Sequence, residues 1–329
     1  MLQDITIKYV KKEDSLMNVR KFLVSLGFSI LFTLMMVYLT FEAPILINEL
    51  LLNCFPDYGL MWKESAIKIV EIMRPFGYVA FLLTLILVLT GFLTKRLKLS
   101  VLGSIVLYIP IFGHFVSSMF YFAGIGLLRL LWLPIFDISP EALRLGEIVY
   151  LPYRLLPSSL HSSITVIILA TGFLTLCIGT TTWFFGKLTG NQIIDFWIYK
   201  YSRHPQYLGG LVWSYGVLTL IEYESFVQGG YVPLPSLPWL LFALIIIGVA
   251  LDEENDVLKK HYVKYLRFRA TTPFMFPLPN QVSMLIITVN RLLLSKDYPE
   301  NVKEIAVLLA FYGMILILLS LPIIMLLSY

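Results

Sequence analysis

Two polar clusters stand out in an otherwise apolar chain. The first runs Tyr199-Lys200-Tyr201-Ser202-Arg203-His204-Pro205-Gln206-Tyr207-Leu208-Gly209-Gly210. Pro205 suits the first turn of a helix, where its missing N–H has no carbonyl to satisfy. It also pushes His204 out of the helical region. A helix therefore starts here, and its free N–H groups and positive dipole end attract a carboxylate or a phosphate. Arg203 adds a permanent charge and a planar fork of donors. Gly209 and Gly210 have no side chain, so a ligand or another backbone can come close. The plainer reading is a basic membrane-edge anchor whose glycines serve helix packing.

The second cluster is Asp252-Glu253-Glu254-Asn255-Asp256, directly after an apolar stretch. At the C-terminal end of a helix these acids meet a negative dipole, whereas a new helix beginning at them reverses that sign. They form either a cation-binding site or a solvated helix start. In the segment that follows, Val257, His261, Tyr265 and Phe268 share one helical face, and Lys260, Lys264 and Arg267 share another. That pattern predicts a helix lying on the inner leaflet, its basic side chains turned to anionic membrane lipids.

The elements that position these clusters are membrane spans. Of 329 residues 58% are hydrophobic and only 14% charged, against roughly 25% charged in a soluble domain, and the mean hydropathy is +0.81. These values exclude a soluble globular enzyme and a disordered chain. The polar Met1–Lys21 segment runs straight into a full-length apolar stretch, which suits a first span better than a cleaved signal. Spans are expected at Phe22–Phe41, Pro75–Leu93, Leu99 to about Phe120, His161–Gly186, Gln206–Ile221, Pro235–Leu251 and Ile305–Leu327. Tyr121–Phe136, with Arg129 and Pro134, is expected to be interfacial or re-entrant, and Gln281–Ser295 to lie in the interface. The fold class is thus an all-α, polytopic transmembrane bundle of about seven spans with a cytoplasmic interfacial helix. Placing the N-terminus inside puts 19 of the 25 Lys and Arg on the inner side, as positive-inside orientation requires.

With that orientation the hairpin between the clusters, about 48 residues long, returns the chain to the side it left. A zwitterion fits between its two ends, its carboxylate toward Arg203 and the helix start, its ammonium toward Glu253 or Glu254. S-adenosylmethionine carries such a pair next to its sulfonium.

The net charge of +4 does not suggest a nucleic-acid partner. Cys54 and Cys177 are isolated, and the four histidines are too far apart for metal-ligand spacing. His114 and His161, in or beside spans, are expected to be packing residues. Trp132, Trp183, Trp197 and Trp239 are expected to anchor at the interface.

Tyr199-x3-Arg203-His204-Pro205-x-Tyr207-x-Gly209 resembles the Arg-His-Pro-x-Tyr-x-Gly motif of the integral-membrane methyltransferases, which include isoprenylcysteine carboxyl and phospholipid N-methyltransferases. Their second motif is matched by Glu253-Glu254, Val257, Tyr265, Phe268, Thr272-Pro273 and Pro277, with His261-Tyr262 in place of a Phe-Gly pair. The match covers roughly 160–279, which the resemblance makes the catalytic core. Residues 1–159 form an N-terminal transmembrane region of unassigned role, and 280–329 an interfacial segment and last span.

The resemblance implies an S-adenosylmethionine pocket lined by Arg203, His204, Tyr207, Gly209, Glu253 and Glu254. His204 or Glu254 is then the candidate base, and a lipid-like or prenylated acceptor enters from the bilayer at the cytoplasmic face. The membrane steroid-type reductases, which use NADPH on an enone or isoprenoid lipid, have a similar first motif and form the alternative. A transporter would show paired broken helices, and no such pairing occurs in the sequence.

Overall fold

Five stretches of this chain form helices long and apolar enough to cross a membrane: Met17–Leu52, Glu71–Leu93, Ser158–Leu188, Ser236–Thr271 and Val302–Leu326. They belong to a computed structural model that describes residues 2–56, 63–116, 123–221, 226–227, 230–231 and 234–327; side chains are described from Met17 on, outside 57–67, 69–70, 114–122, 222–233 and 327. His114 and part of the stretch around Gln228 lie outside the described side chains. Among the described residues the only extended pairing is a two-residue antiparallel contact, β1 (Phe226–Val227) with β2 (Gly230–Tyr231). Everything else is helix or loop.

In order, the α-helices are α1 (Leu2–Leu52), α2 (Lys63–Leu93), α3 (Leu97–Tyr108), α4 (Pro110–Val116), α5 (Leu133–Ile138), α6 (Glu147–Arg154), α7 (Ser158–Leu188), α8 (Pro205–Ile221), α9 (Ser236–Thr271), α10 (Asn280–Leu294) and α11 (Val302–Leu327). On α1, Leu23, Phe28, Leu31 and Met35 point outward, while Met36 packs inward against the core. Apolar surface this continuous suits lipid rather than water.

Helices α7 and α8 hold the bundle's centre. Glycines recur seven residues apart on each, Gly172 and Gly179 on α7 and Gly209 and Gly216 on α8. A Cβ at Gly172 would overlap the Trp213 backbone, and one at Gly209 the Leu176 backbone. A Cβ at Gly179 would sit 3.1 Å from the Gln206 nitrogen, and one at Gly216 2.7 Å from a Leu169 methyl. Small residues let two backbones approach closely, and dispersion then holds them without a hydrophobic drive. At the α2–α3 corner, Ser100 Oγ donates to the Val88 carbonyl at 2.7 Å, and Lys95 takes φ 57° to make the tight turn.

The expected third span is interrupted. Pro110 opens a new helix, so α3 and α4 replace one continuous rod. The Tyr121–Phe136 stretch, from Ala123 on, holds no helix long enough to cross a membrane: Gly124–Trp132 is a nine-residue 3₁₀ helix, packed against α1, α2 and α4. Inside a membrane, backbone outside regular α-helix is tolerated where protein covers it. Arg129 is buried within it and donates to the Gly113 carbonyl at 2.6 Å. Trp132, expected at the interface, is instead wholly buried and donates to the Leu107 carbonyl at 3.2 Å, because the 3₁₀ segment turns it into the core. Trp183 and Trp197 are partly exposed. His161 is a packing residue, its ring stacked 4.5 Å from Tyr153.

A second charged group sits near the start of α9. Glu147 is wholly buried; Arg154 Nη2 lies 2.8 Å and Arg144 Nε 3.4 Å from its carboxylate. Gly146 touches the backbone of Ser236. From Ser236 to Glu254 is roughly 27 Å of helix at 1.5 Å per residue. The two charge clusters therefore lie at the start and at the middle of α9.

Candidate functional site

The site begins with the linker between α7 and α8. Ile193 and Ile194 bury their side chains with Tyr199, Tyr265 and Phe268. Trp197 takes φ 49°, rare for a residue with a Cβ, and its indole stacks on Phe185 at 5.0 Å. The 3₁₀ turn Trp197–Lys200 then aims Tyr199 inward. Burial raises the Tyr199 phenol above its ordinary pKa, and the nearby Glu253 charge raises it further. Pro205 is the first residue of α8, in the position its ring favours.

The second half is α9. It was expected to stop at Leu251 and restart at the acids, but it continues helically through Asp252–Asp256 and breaks at His261, with φ −139° and ψ 49°. The acids are thus in mid-helix, away from a terminal dipole; Arg203 and His204, just before α8, pair with Glu254, and Tyr207 on α8 donates to Glu253. The break falls on His261-Tyr262, where the resembled motif has Phe-Gly. Around it, Tyr265 and Phe268 are buried and Lys260, Lys264 and Arg267 exposed, so the amphipathic pattern divides as the spacing predicts.

Arg203 Nη1 donates to Glu254 Oε2 at 2.9 Å. His204 Nε2 lies 3.0 Å from Glu254 Oε1. The Tyr207 hydroxyl donates to Glu253 Oε1 at 2.8 Å. Arg269 Nε sits 3.6 Å from Glu254 Oε2. The chain after α9 closes the group, because the Arg203 amide donates to the Pro273 carbonyl at 3.0 Å. Phe274 packs its ring 5.0 Å from His204 and 5.6 Å from the Arg203 guanidinium carbon. The Glu254 side chain is 1% and Arg203 5% exposed, so the pair is dry and its attraction little screened.

Five of the six expected residues therefore meet directly: Arg203, His204, Tyr207, Glu253 and Glu254. Gly209 does not open onto them; its Cα face is filled by Leu176 of α7, as helix packing requires. Gly210 is the glycine with open space around it. Sequence reasoning missed Arg269, Asn255 and Phe274. Phe274 carried a signal, standing between the two prolines of the second motif. Arg269 and Asn255 carried none.

The arrangement suits a zwitterionic guest. Arg203 Nε is buried with no hydrogen-bond partner, so the guanidinium keeps a donor for an incoming carboxylate although Nη1 is taken. Glu253 is half-buried and has Tyr207 as its hydrogen-bond donor, which leaves carboxylate lone pairs for an ammonium. A cationic point, Arg203, and an anionic one, Glu253, thus belong to one cluster, Glu253 being the chain neighbour of Arg203's partner Glu254. No family model, no curated protein and no solved structure matches the chain.

Proposed function

We propose that the protein is an integral-membrane methyltransferase that moves a methyl group from S-adenosylmethionine to a lipid-like acceptor at the cytoplasmic face. The observation that carries this reading is the convergence of Arg203, His204 and Tyr207 with Glu253 and Glu254 across the α8–α9 hairpin. The resemblance of both sequence motifs to that superfamily supports it. In this reading the chain crosses the membrane seven times, with α8 and the α3–α4 pair added to the five long helices. The basic excess on the 187–203 and 252–304 segments supports a site on the cytoplasmic side.

S-adenosylmethionine supplies the electrophilic methyl on its sulfonium, so the protein's part is orientation, electrostatics and proton handling. Arg203 holds the cofactor's carboxylate through its unpaired Nε, and Glu253 holds its ammonium. Glu254 fixes Arg203 and His204 in place. When Glu254 accepts from Nε2–H, Nδ1 of His204 is left as a lone-pair acceptor. An amine acceptor then loses its proton to His204, whereas a carboxylate acceptor needs no base.

The test is transfer of isotope from labelled S-adenosylmethionine into membrane lipid or added amphiphiles, with cofactor binding measured by calorimetry. Folded protein that binds no S-adenosylmethionine would overturn the proposal. Thermal stabilisation by NADPH in its place would point to the reductase chemistry.

A further inference from the structure

Beside Glu254 lies a cavity of about 470 Å³, between the C-terminal half of α9 and the loop that joins α10 to α11. Asn255, Leu258, Tyr262, Arg269, Lys296 and Tyr298 line it. The methyl-transfer reading uses none of them. Asn255 is 6% exposed, and its Nδ2 has no hydrogen-bond partner. The Arg269 side chain is 10% exposed, and its Nε has none either. The 3.6 Å to Glu254 Oε2 exceeds hydrogen-bond reach. A buried donor left unpaired is destabilising. Both orphans are N–H donors, so the partner they lack is an acceptor. A guanidinium fork matches the paired oxygens of a phosphate or carboxylate.

The cavity is built rather than incidental. The Arg269 guanidinium carbon lies 3.3 Å from the centroid of the Tyr298 ring, which fixes the fork's plane. Asn290 Nδ2 donates to the Asp297 carbonyl at 2.9 Å, and Lys296 bridges Glu300 at 2.6 Å and Glu304 at 3.2 Å. These contacts tie the loop to α10 and α11, and the Arg269–Tyr298 stack ties it to α9. Lys259, Asp297 and Glu300 also line the cavity, Asp297 paired with Arg291 and Glu300 with Lys296; on the flanking helices Tyr262 and Val263 of α9 and Met284, Leu285 and Leu292 of α10 are exposed apolar side chains. Buried donors within and apolar surface around them match an amphiphile with an oxyanion head and hydrocarbon tails.

We propose that this cavity binds the phosphate of a membrane phospholipid headgroup, with Asn255 and Arg269 as its donors and Lys296 as a cation on its wall. The proposal rests on the membrane placement of the chain and is independent of methyl transfer. Its far wall, residues 296–300, lies outside the stretch that resembles the methyltransferases.

The experiment is calorimetry on the full chain in a non-ionic, phosphate-free detergent. It is titrated separately with dihexanoyl phosphatidic acid, with the matching diacylglycerol and with glycerol 3-phosphate. Phosphatidic acid is expected to bind, the diacylglycerol not to bind, and glycerol 3-phosphate to bind about tenfold more weakly for lack of chains. Arg269→Gln and Asn255→Ala are each expected to weaken phosphatidic acid by about tenfold. Equal binding of diacylglycerol, or undiminished binding by both variants, overturns the proposal. Glycerol 3-phosphate binding as tightly as the lipid overturns the lipid assignment and makes the source a soluble phosphate ester. Arg269 also faces Glu254, so Asn255→Ala decides the matter if Arg269→Gln fails to fold. S-adenosylmethionine titrated into the same protein separates the two readings: lipid binding without cofactor binding sinks the methyltransferase assignment alone, and the converse sinks this one alone.

Discussion

Glu254 carries more of the site than any other side chain. It meets Arg203, His204 and Arg269 at 2.9, 3.0 and 3.6 Å. Replacing it with Gln keeps its shape and removes the charge that offsets two buried guanidiniums. Breaking a buried ion pair from one side costs about 3–5 kcal/mol, because the remaining charge stays desolvated. Glu254→Gln is therefore expected to lower the melting temperature sharply, as read by a thermal melt in detergent. Tyr207→Phe removes one hydrogen bond to the half-buried Glu253 and is expected to cost only about 1 kcal/mol. If the two variants melt alike, Glu254 is not the keystone described. At this scale the sequence was legible where residue type encodes role. An Arg-His-Pro before a helix and a Glu-Glu pair after a span announce charge at a boundary. Asn255 and Arg269 were not legible, because nothing in their types distinguishes a buried, unpaired donor from a solvated one. The same holds for Arg144 and Glu147, both buried near the start of α9.

At the scale of elements, the glycines of α7 and α8 separate packing from ligand access. Gly209→Ala puts a methyl into the Leu176 backbone, and overpacking of this kind costs about 1–3 kcal/mol. Gly210→Ala meets nothing within 4 Å; in a helix interior it is expected to stabilise by roughly 0.5–1 kcal/mol. Opposite shifts of melting temperature for adjacent glycines are the expected outcome, and equal shifts would refute the interlocked packing. Hydropathy located the five long helices because a bilayer demands long apolar runs. It could not locate the break at His261, because the local pattern on either side is helical, and Tyr265 and Phe268 beyond it pack with Ile193, Ile194 and Tyr199, residues distant in sequence. Nor could it show Gly124–Trp132 as a buried 3₁₀ piece, since an apolar run reads alike whether lipid or protein surrounds it.

At the scale of the whole molecule, the two cysteines report orientation. Ser29 on α1 meets the Cys177 carbonyl of α7 at 2.6 Å, so the early part of α1 lies beside the part of α7 that leads to the site linker. Cys54 lies two residues past the end of α1, which is about 35 Å along the helix from Ser29 at 1.5 Å per residue, and it is exposed. The proposed orientation puts Cys54 on the non-cytoplasmic side and the exposed Lys260 on the cytoplasmic side. In sealed vesicles of known sidedness, a membrane-impermeant maleimide is expected to label native Cys54 from the non-cytoplasmic face. In a Cys54→Ala background, Lys260→Cys is expected to be labelled from the cytoplasmic face. Labelling of both from one face would mean that α1 does not cross, and the hairpin's placement would fall with it. Labelling from opposite faces with the sides exchanged would keep the fold, yet move the Arg203–Glu254 cluster away from cytoplasmic S-adenosylmethionine. The function would then have to be sought in a chemistry available on the other side.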